Sequence, residues 1–354
     1  MRVNKINEID LLRFIAAISV VFFHLAFGGY ATNTTIMPYD LLSSISKYGR
    51  LGVELFFMIS GFVILLTVSN NNIKNFIISR IVRLYPTFWI CCTITFLFII
   101  IFGKPFYFAS FYQYIINLTM FSRLLGVDYI DVSYWTLLIE MQFYIMIGII
   151  LVLNQIRRVE KIITAWLIIC IILNINSFLP FIFNSNMLLY RIYQLLIIEY
   201  APFFIAGMTY FLIWSKGLSF NRFIIIIFCW LLSLSNLLDK VSWFENHYKT
   251  GINYYIAGSI ITVFFIAMML IALKKTWIFK NSNFLLLGSL SYPIYLLNQN
   301  IGFVIFNNVY KKMNSHLIFW FTIFFILILS YLVSIFVEKY CSKYFKLILN
   351  NIFI

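Results

Sequence analysis

An all-α integral membrane bundle of about ten transmembrane helices, with both termini cytoplasmic, is the fold class the sequence predicts. Two features predict it: apolar runs of roughly 20 residues, each long enough to cross a bilayer, and a surplus of Lys and Arg in alternate loops. Of 354 residues, 63% are hydrophobic and 11% charged, too little polar surface to cover a water-soluble globule. Spans are predicted over residues 11–30, 50–68, 84–103, 134–154, 162–180, 197–215, 223–238, 252–273, 284–306 and 317–337. They leave little room for anything else, so residues 1–354 are expected to form a single transmembrane domain with no fused extracytoplasmic domain.

The first run carries Glu8 and Asp10 at its start and no small-residue cleavage site, which reads as an uncleaved span rather than a signal peptide. Residues 106–123 are apolar but broken by Gln113, Asn117 and Ser122, the pattern of an interfacial helix or a re-entrant piece. The Asn-rich stretch Ser69 to Asn75 reads as a short loop. A net charge of +14 would point to nucleic acid in a soluble protein. Here the basic residues sit between spans, with Lys74, Arg80, Arg83, Arg157, Arg158, Lys274 and Lys275 on one side, so they are topology signals and contacts for anionic headgroups, with no nucleic-acid partner. Cys91, Cys92, Cys170, Cys229 and Cys341 form no C-x-x-C pair, and neither a disulfide framework nor a metal site is expected.

Ionisable side chains inside a span cost roughly 2.5 to 3.5 kcal/mol each on insertion scales, so each is a functional candidate. On the first span Arg13 and His24 are eleven residues apart, which puts them about 20° out of register on one face and roughly 16 Å apart in depth. Asp10 shares that face and can pair with Arg13 at i, i+3. A histidine suits deprotonation of a hydroxyl near neutral pH; a polar contact to a neighbouring helix is the structural alternative. Glu140 falls at the depth of His24, where a carboxylate could orient or charge the imidazole. Glu54 and Glu199 lie at the same level and read as ion-pair partners between helices. Arg80 and Arg83, at i, i+3 where a cytoplasmic loop enters the third span, suit bidentate phosphate contacts, although positive-inside anchoring puts basic residues there too.

Several of these stretches resemble membrane acyltransferase family 3, the bacterial inner-membrane O-acyltransferases of surface polysaccharides. The resemblance runs through Ile9 to Arg13 with Val20 to His24, Gly52-Val53-Glu54-Leu55-Phe56-Phe57-Met58-Ile59-Ser60-Gly61-Phe62, and Arg80-Ile81-Val82-Arg83-Leu84-Tyr85-Pro86. It continues in Trp135 to Glu140 with Phe143-Tyr144 and in Ser291-Tyr292-Pro293-Ile294-Tyr295-Leu296-Leu297, in order and over most of the chain. It implies an acyl-CoA donor, acetyl-CoA in the usual case, and a hydroxyl acceptor on an extracytoplasmic surface glycan such as O-antigen or a lipid-linked glycan. It also implies an inner-membrane location, His24 as the essential catalytic residue with Arg13 as its motif partner, and Arg80 and Arg83 as donor contacts. Where the family often has a histidine after the last block this chain has Asn298, so a second histidine role does not carry over.

Together these expectations describe coenzyme A phosphates near Arg80 and Arg83, an acceptor reaching His24 and Glu140 from outside, and a polar passage between them. Direct attack on the thioester and an acyl group carried on His24 both remain open. The competing class is a transporter or flippase for a lipid-linked glycan, which would move its solute without covalent change.

Overall fold

The computed structural model describes residues 6–68, 72–177, 187–276 and 282–352, and these are helical without a β-strand. Seven helices are long and apolar enough to cross a membrane: α1 (Asn7–Ala31), α2 (Asp40–Val68), α3 (Ile73–Phe102), α5 (Val132–Val152), α9 (Phe220–Tyr248), α10 (Tyr254–Ala272) and α12 (Ser315–Phe336). Between them lie α4 (Phe111–Asn117), α6 (Val159–Ser177), α7 (Met187–Leu195), α8 (Ala201–Lys216) and α11 (Leu285–Val309), and α13 (Ser342–Ile352) follows. The predicted spans outside the seven fall on α6, α8 and α11. Helix α8 is only 16 residues long, and α11 is interrupted by Ser289, Ser291, Asn298, Gln299 and Asn300. The span predicted over 162–180 and the loop over Ser69 to Asn75 each fall partly outside the described residues.

Helix α11 tolerates those polar groups because its solvent is protein, not lipid. It packs on α1, α3 and α12, and Ser291, Asn298, Asn300 and Asn307 are all buried. Side chains such as Leu97, Ile101, Ile149, Phe228 and Phe321 stay exposed on the outer faces of their helices, an apolar belt too large for contact with water and suited to acyl chains.

Small residues set the closest crossings, as expected where lipid gives no hydrophobic drive and packing must supply the contact. A Cβ on Gly207 of α8 would fall 1.9 Å from the Met58 carbonyl oxygen, and one on Gly61 of α2 would fall 2.3 Å from that of Phe204. The α2–α8 crossing therefore needs both glycines. Likewise, a Cβ on Gly288 of α11 would stand 2.4 Å from the Asp10 carboxylate, locking α11 against the start of α1.

Two helices run past their predicted ends. Helix α3 starts at Ile73 rather than residue 84, capped by Asn72, whose side chain accepts from the Asn75 amide at 3.1 Å, so Arg80 and Arg83 ride on the helix itself. Helix α9 continues through Asp239 and Lys240 to Tyr248 rather than stopping at 238, because Lys240 meets a carboxylate of α2 instead of needing water. Residues 106–123 hold the short helix α4, outside the candidate spans, with Phe111 and Tyr112 exposed and Asn117 buried.

Candidate active site

Helix α1 brings three candidate side chains to one face. Arg13 Nη1 lies 3.5 Å from Asp10 Oδ1, the i, i+3 pair the spacing predicts. About three turns on, the helix loosens into a π-helical turn at His24–Gly28, a local widening found mainly at functional sites. Because it begins at His24, the eleven residues from Arg13 keep α-helical register.

His24 lines a large cavity inside the bundle, about 750 Å³ in volume. Aromatic faces from Trp135, Tyr200, Trp243 and Tyr248 share its wall with Arg50, Lys240 and Glu199. Helix α9 supplies much of this wall through the turns beyond residue 238, where the predicted span ends. Arg50 stands 4.8 Å over the Trp243 ring, and the His247 ring stacks on Trp243 at 4.8 Å and 12°. Lys240 Nζ is 2.8 Å from Glu54 Oε1 and 3.7 Å from Glu199 Oε1, so the ion-pair reading of both carboxylates is the geometry observed.

The partner of His24 is Asn298 of α11. His24 Nδ1 and Asn298 Oδ1 are 2.6 Å apart. The expected Glu140–His24 pairing is absent. Glu140 Oε1 instead accepts from Ser60 Oγ at 3.2 Å and from the Tyr144 hydroxyl. Glu140 belongs to a second, smaller cavity of about 70 Å³, lined also by Arg13, Ser60, Arg83, Ser291 and Tyr292. The sequence placed Glu140 at the depth of His24, but Trp135 is the α5 residue that shares the large cavity with His24, and Glu140, five residues farther along the helix, lies in the small cavity with Arg13, its carboxylate toward Ser60 of α2.

Val53 and Tyr295 line both cavities, so the small one abuts the large one. In the other direction Arg13, Arg83, Ser291 and Tyr292 are shared with a polar pocket of about 280 Å³. That pocket also takes Asp10, Ser289, Ser334 and Ser342, which puts the starts of α1 and α13 at one end of the bundle. A file of pockets thus runs from the Asp10 end, past Arg13 and Glu140, to His24.

Arg80 and Arg83 part company. Arg83 is exposed and faces the file of pockets. Arg80 is 8% exposed, its guanidinium 5.6 Å over the Tyr144 ring and its Nε donating to Ser79 Oγ at 3.3 Å. It lines an apolar groove between α3 and α5 instead.

A polar hinge missed by the sequence pattern holds the site together. Asp131, fully buried, accepts from the Ser133 amide at 2.9 Å and the Asn300 amide at 2.9 Å. Next to it, Tyr295 donates to the Ser133 carbonyl at 3.1 Å and lies 2.8 Å from Thr136 Oγ1. The start of α5, with Trp135, is thereby stitched to α11. The run Asn298-Gln299-Asn300 inside an apolar segment was the available signal.

Residues 6–338 match a family described as an acyltransferase domain. Over 162 residues the chain is 30% identical to the "Putative acetyltransferase ORF330" of Acidianus two-tailed virus, a stretch covering 45% of this chain and 44% of that relative, so less than half of the relative is spanned. No solved structure matches. The family match takes in Arg13, His24, Arg83, Glu140 and Asn298 together with the helices that frame both cavities, and on that coverage the chain belongs to the acyltransferase family.

Proposed function

We propose that this chain is an O-acyltransferase of the plasma membrane, the inner membrane in a cell with two. It moves an acyl group, acetyl in the simplest case, from cytoplasmic acyl-CoA to a hydroxyl of an extracytoplasmic surface glycan or its lipid-linked precursor. The observation that carries this reading is the file of pockets, with His24 in the large cavity and Arg13 and Arg83 on the opposite side of the narrow one. Helices that start at the Asp10 end, together with Lys74, Arg80 and Arg83, support a cytoplasmic position for that end. Helices α6, α8 and α11 would then complete ten crossings.

In this reading the phosphates of coenzyme A sit by Arg83 and the pantetheine arm extends through the file toward His24, a reach of roughly half the 30 Å hydrocarbon core. Aromatic faces and mixed polar groups in the large cavity suit a sugar, whose C–H faces stack while its hydroxyls hydrogen-bond. His24 takes the proton of the acceptor hydroxyl as its oxygen attacks the thioester carbonyl. The C–S bond breaks, and the departing thiolate recovers that proton from the imidazolium. Arg80, stacked over the Tyr144 ring, holds Tyr144 and through it Glu140 in the neck of the passage.

The test is base-labile acetate on the surface polysaccharide of a host expressing the chain, against the same host without it. New acetate supports the reading. Transmembrane movement of an unmodified lipid-linked glycan, with no new ester, would replace it by transport. Within the reading, Arg83→Ala is expected to raise the KM for acetyl-CoA by about 10-fold or more, the scale of one lost hydrogen-bonded charge contact, with acceptor dependence unchanged. Arg80→Ala should leave that KM within about twofold while lowering kcat. The reverse pattern in donor titrations of the two variants would return the phosphates to Arg80.

A further inference from the structure

The geometry assigns Asn298 as a positioning residue that fixes the tautomer of His24, so that Nε2 and not Nδ1 is the nitrogen that reacts. The assignment rests on the acyl-transfer reading for its kinetic consequence, but its structural half stands apart from it.

The two ends of the Asn298 amide are distinguishable by their partners. Nδ2 lies 3.0 Å from the Ile294 carbonyl oxygen and 2.7 Å from that of Tyr295. Both are acceptors, so the end facing them must be the NH2 group, which alone has two hydrogens to give. Reversing the amide would oppose oxygen to two carbonyls and forfeit both bonds. The oxygen therefore faces His24, 2.6 Å from Nδ1. An amide oxygen only accepts, so Nδ1 carries the hydrogen, and in the neutral imidazole Nε2 is left with the lone pair. Asn298 is 0% exposed, so water does not compete for this contact.

The amide is itself held from both sides. One turn back its NH2 is tied to α11, and two residues on the Asn300 amide donates to Asp131 while Asn300 Nδ2 donates to the Ile130 carbonyl at 2.5 Å. Neutral imidazole in water favours hydrogen on Nε2, the wrong nitrogen for a base that must reach the cavity with its back to α11. Asn298 inverts that preference. Being an amide, it also cannot take the proton away: it orients the ring as the carboxylate of a hydrolase triad does, without adding a titrating group. In the transfer step Nε2 gains the hydroxyl proton as the new C–O bond forms, and returns it to the sulfur once the C–S bond has broken.

The test uses the full-length protein in nanodiscs with 15N-histidine, the His24 signals being assigned by their loss in His24→Gln. In wild type, Nδ1 is expected at a protonated-type shift and Nε2 at a pyridine-type shift. Asn298→Leu should move hydrogen to Nε2 and lower kcat by at least about 10-fold, the smallest effect of removing a partner that orients a working histidine, with the KM for acetyl-CoA unchanged. If the Leu variant fails to fold, the nitrogen shifts of the wild type decide the matter by themselves. Hydrogen on Nε2 in wild type, or wild-type kcat in a folded Asn298→Leu, overturns the assignment. Absence of acetyl transfer to extracted host polysaccharide by wild type itself would strike the acyl-transfer reading instead, while the nitrogen shifts still report the tautomer.

Discussion

His24→Gln is expected to remove transfer almost entirely, with kcat down about 10³-fold, within the roughly 10² to 10⁴ that general acid–base catalysis supplies. Glutamine is the informative replacement. It has nearly the reach of histidine, and its amide NH2 can still donate to Asn298 Oδ1, so the contact that holds α1 to α11 survives. What is lost is the basic nitrogen. The measurement is base-labile acetate on the polysaccharide at equal membrane abundance, together with the thermal midpoint of the purified variant. A midpoint near that of wild type with acetate gone isolates the chemistry. Acetate at wild-type level would demote His24 to a polar contact between helices and remove the centre of the proposed mechanism.

How much of this site the sequence discloses follows from what each residue type obeys. Arg13 and His24 share a helix, and helical geometry carries their relation from spacing to structure unaltered, as the Asp10–Arg13 contact shows. The positions of most helices are equally legible, because the need for apolar length in a bilayer is written locally. Their ends are not. Helix α9 runs ten residues beyond its apolar run because Glu54, 186 positions away in sequence, receives Lys240. The number of crossings is also blurred where a helix is shielded from lipid: α11 carries Asn298, Gln299 and Asn300 and is packed among α1, α3 and α12. Partner choice is least legible. A carboxylate is the familiar companion for an imidazole, yet Glu140 lies beside Arg13 and bonds to Ser60 and Tyr144, and a neutral amide takes its place at His24. Spacing gives relative depth and azimuth within one helix, as for Arg13 and His24, whereas for side chains on different helices both depend on how those helices shift and rotate against one another, and Glu140 comes to lie beside Arg13.

Lys240→Met should be the most damaging substitution for stability, by about 3 to 5 kcal/mol, the cost of breaking a buried ion pair on one side. Glu54 is 1% exposed and its Oε2 has no hydrogen-bond partner among the described residues, so the 2.8 Å contact of Oε1 with Lys240 Nζ, with Arg50 as a second and weaker cation, is what keeps this carboxylate tolerable in an apolar surrounding. Glu199, the second carboxylate near Lys240, is farther away at 3.7 Å and 42% exposed, so water compensates it. The loss therefore falls on Glu54 and on the α2–α9 contact that closes one wall of the large cavity. Because the harm comes from the orphaned charge more than from the absent bond, Lys240→Met combined with Glu54→Gln should recover at least about 2 kcal/mol over the single variant, an isosteric amide being far cheaper to bury than a carboxylate. Unfolding of the four proteins in mixed micelles closes the cycle. If the double variant is no more stable than the single, the pair contributes through packing of the lysine stem on Tyr200 and Phe203, and the charge balance of this wall is not what holds α9 in place.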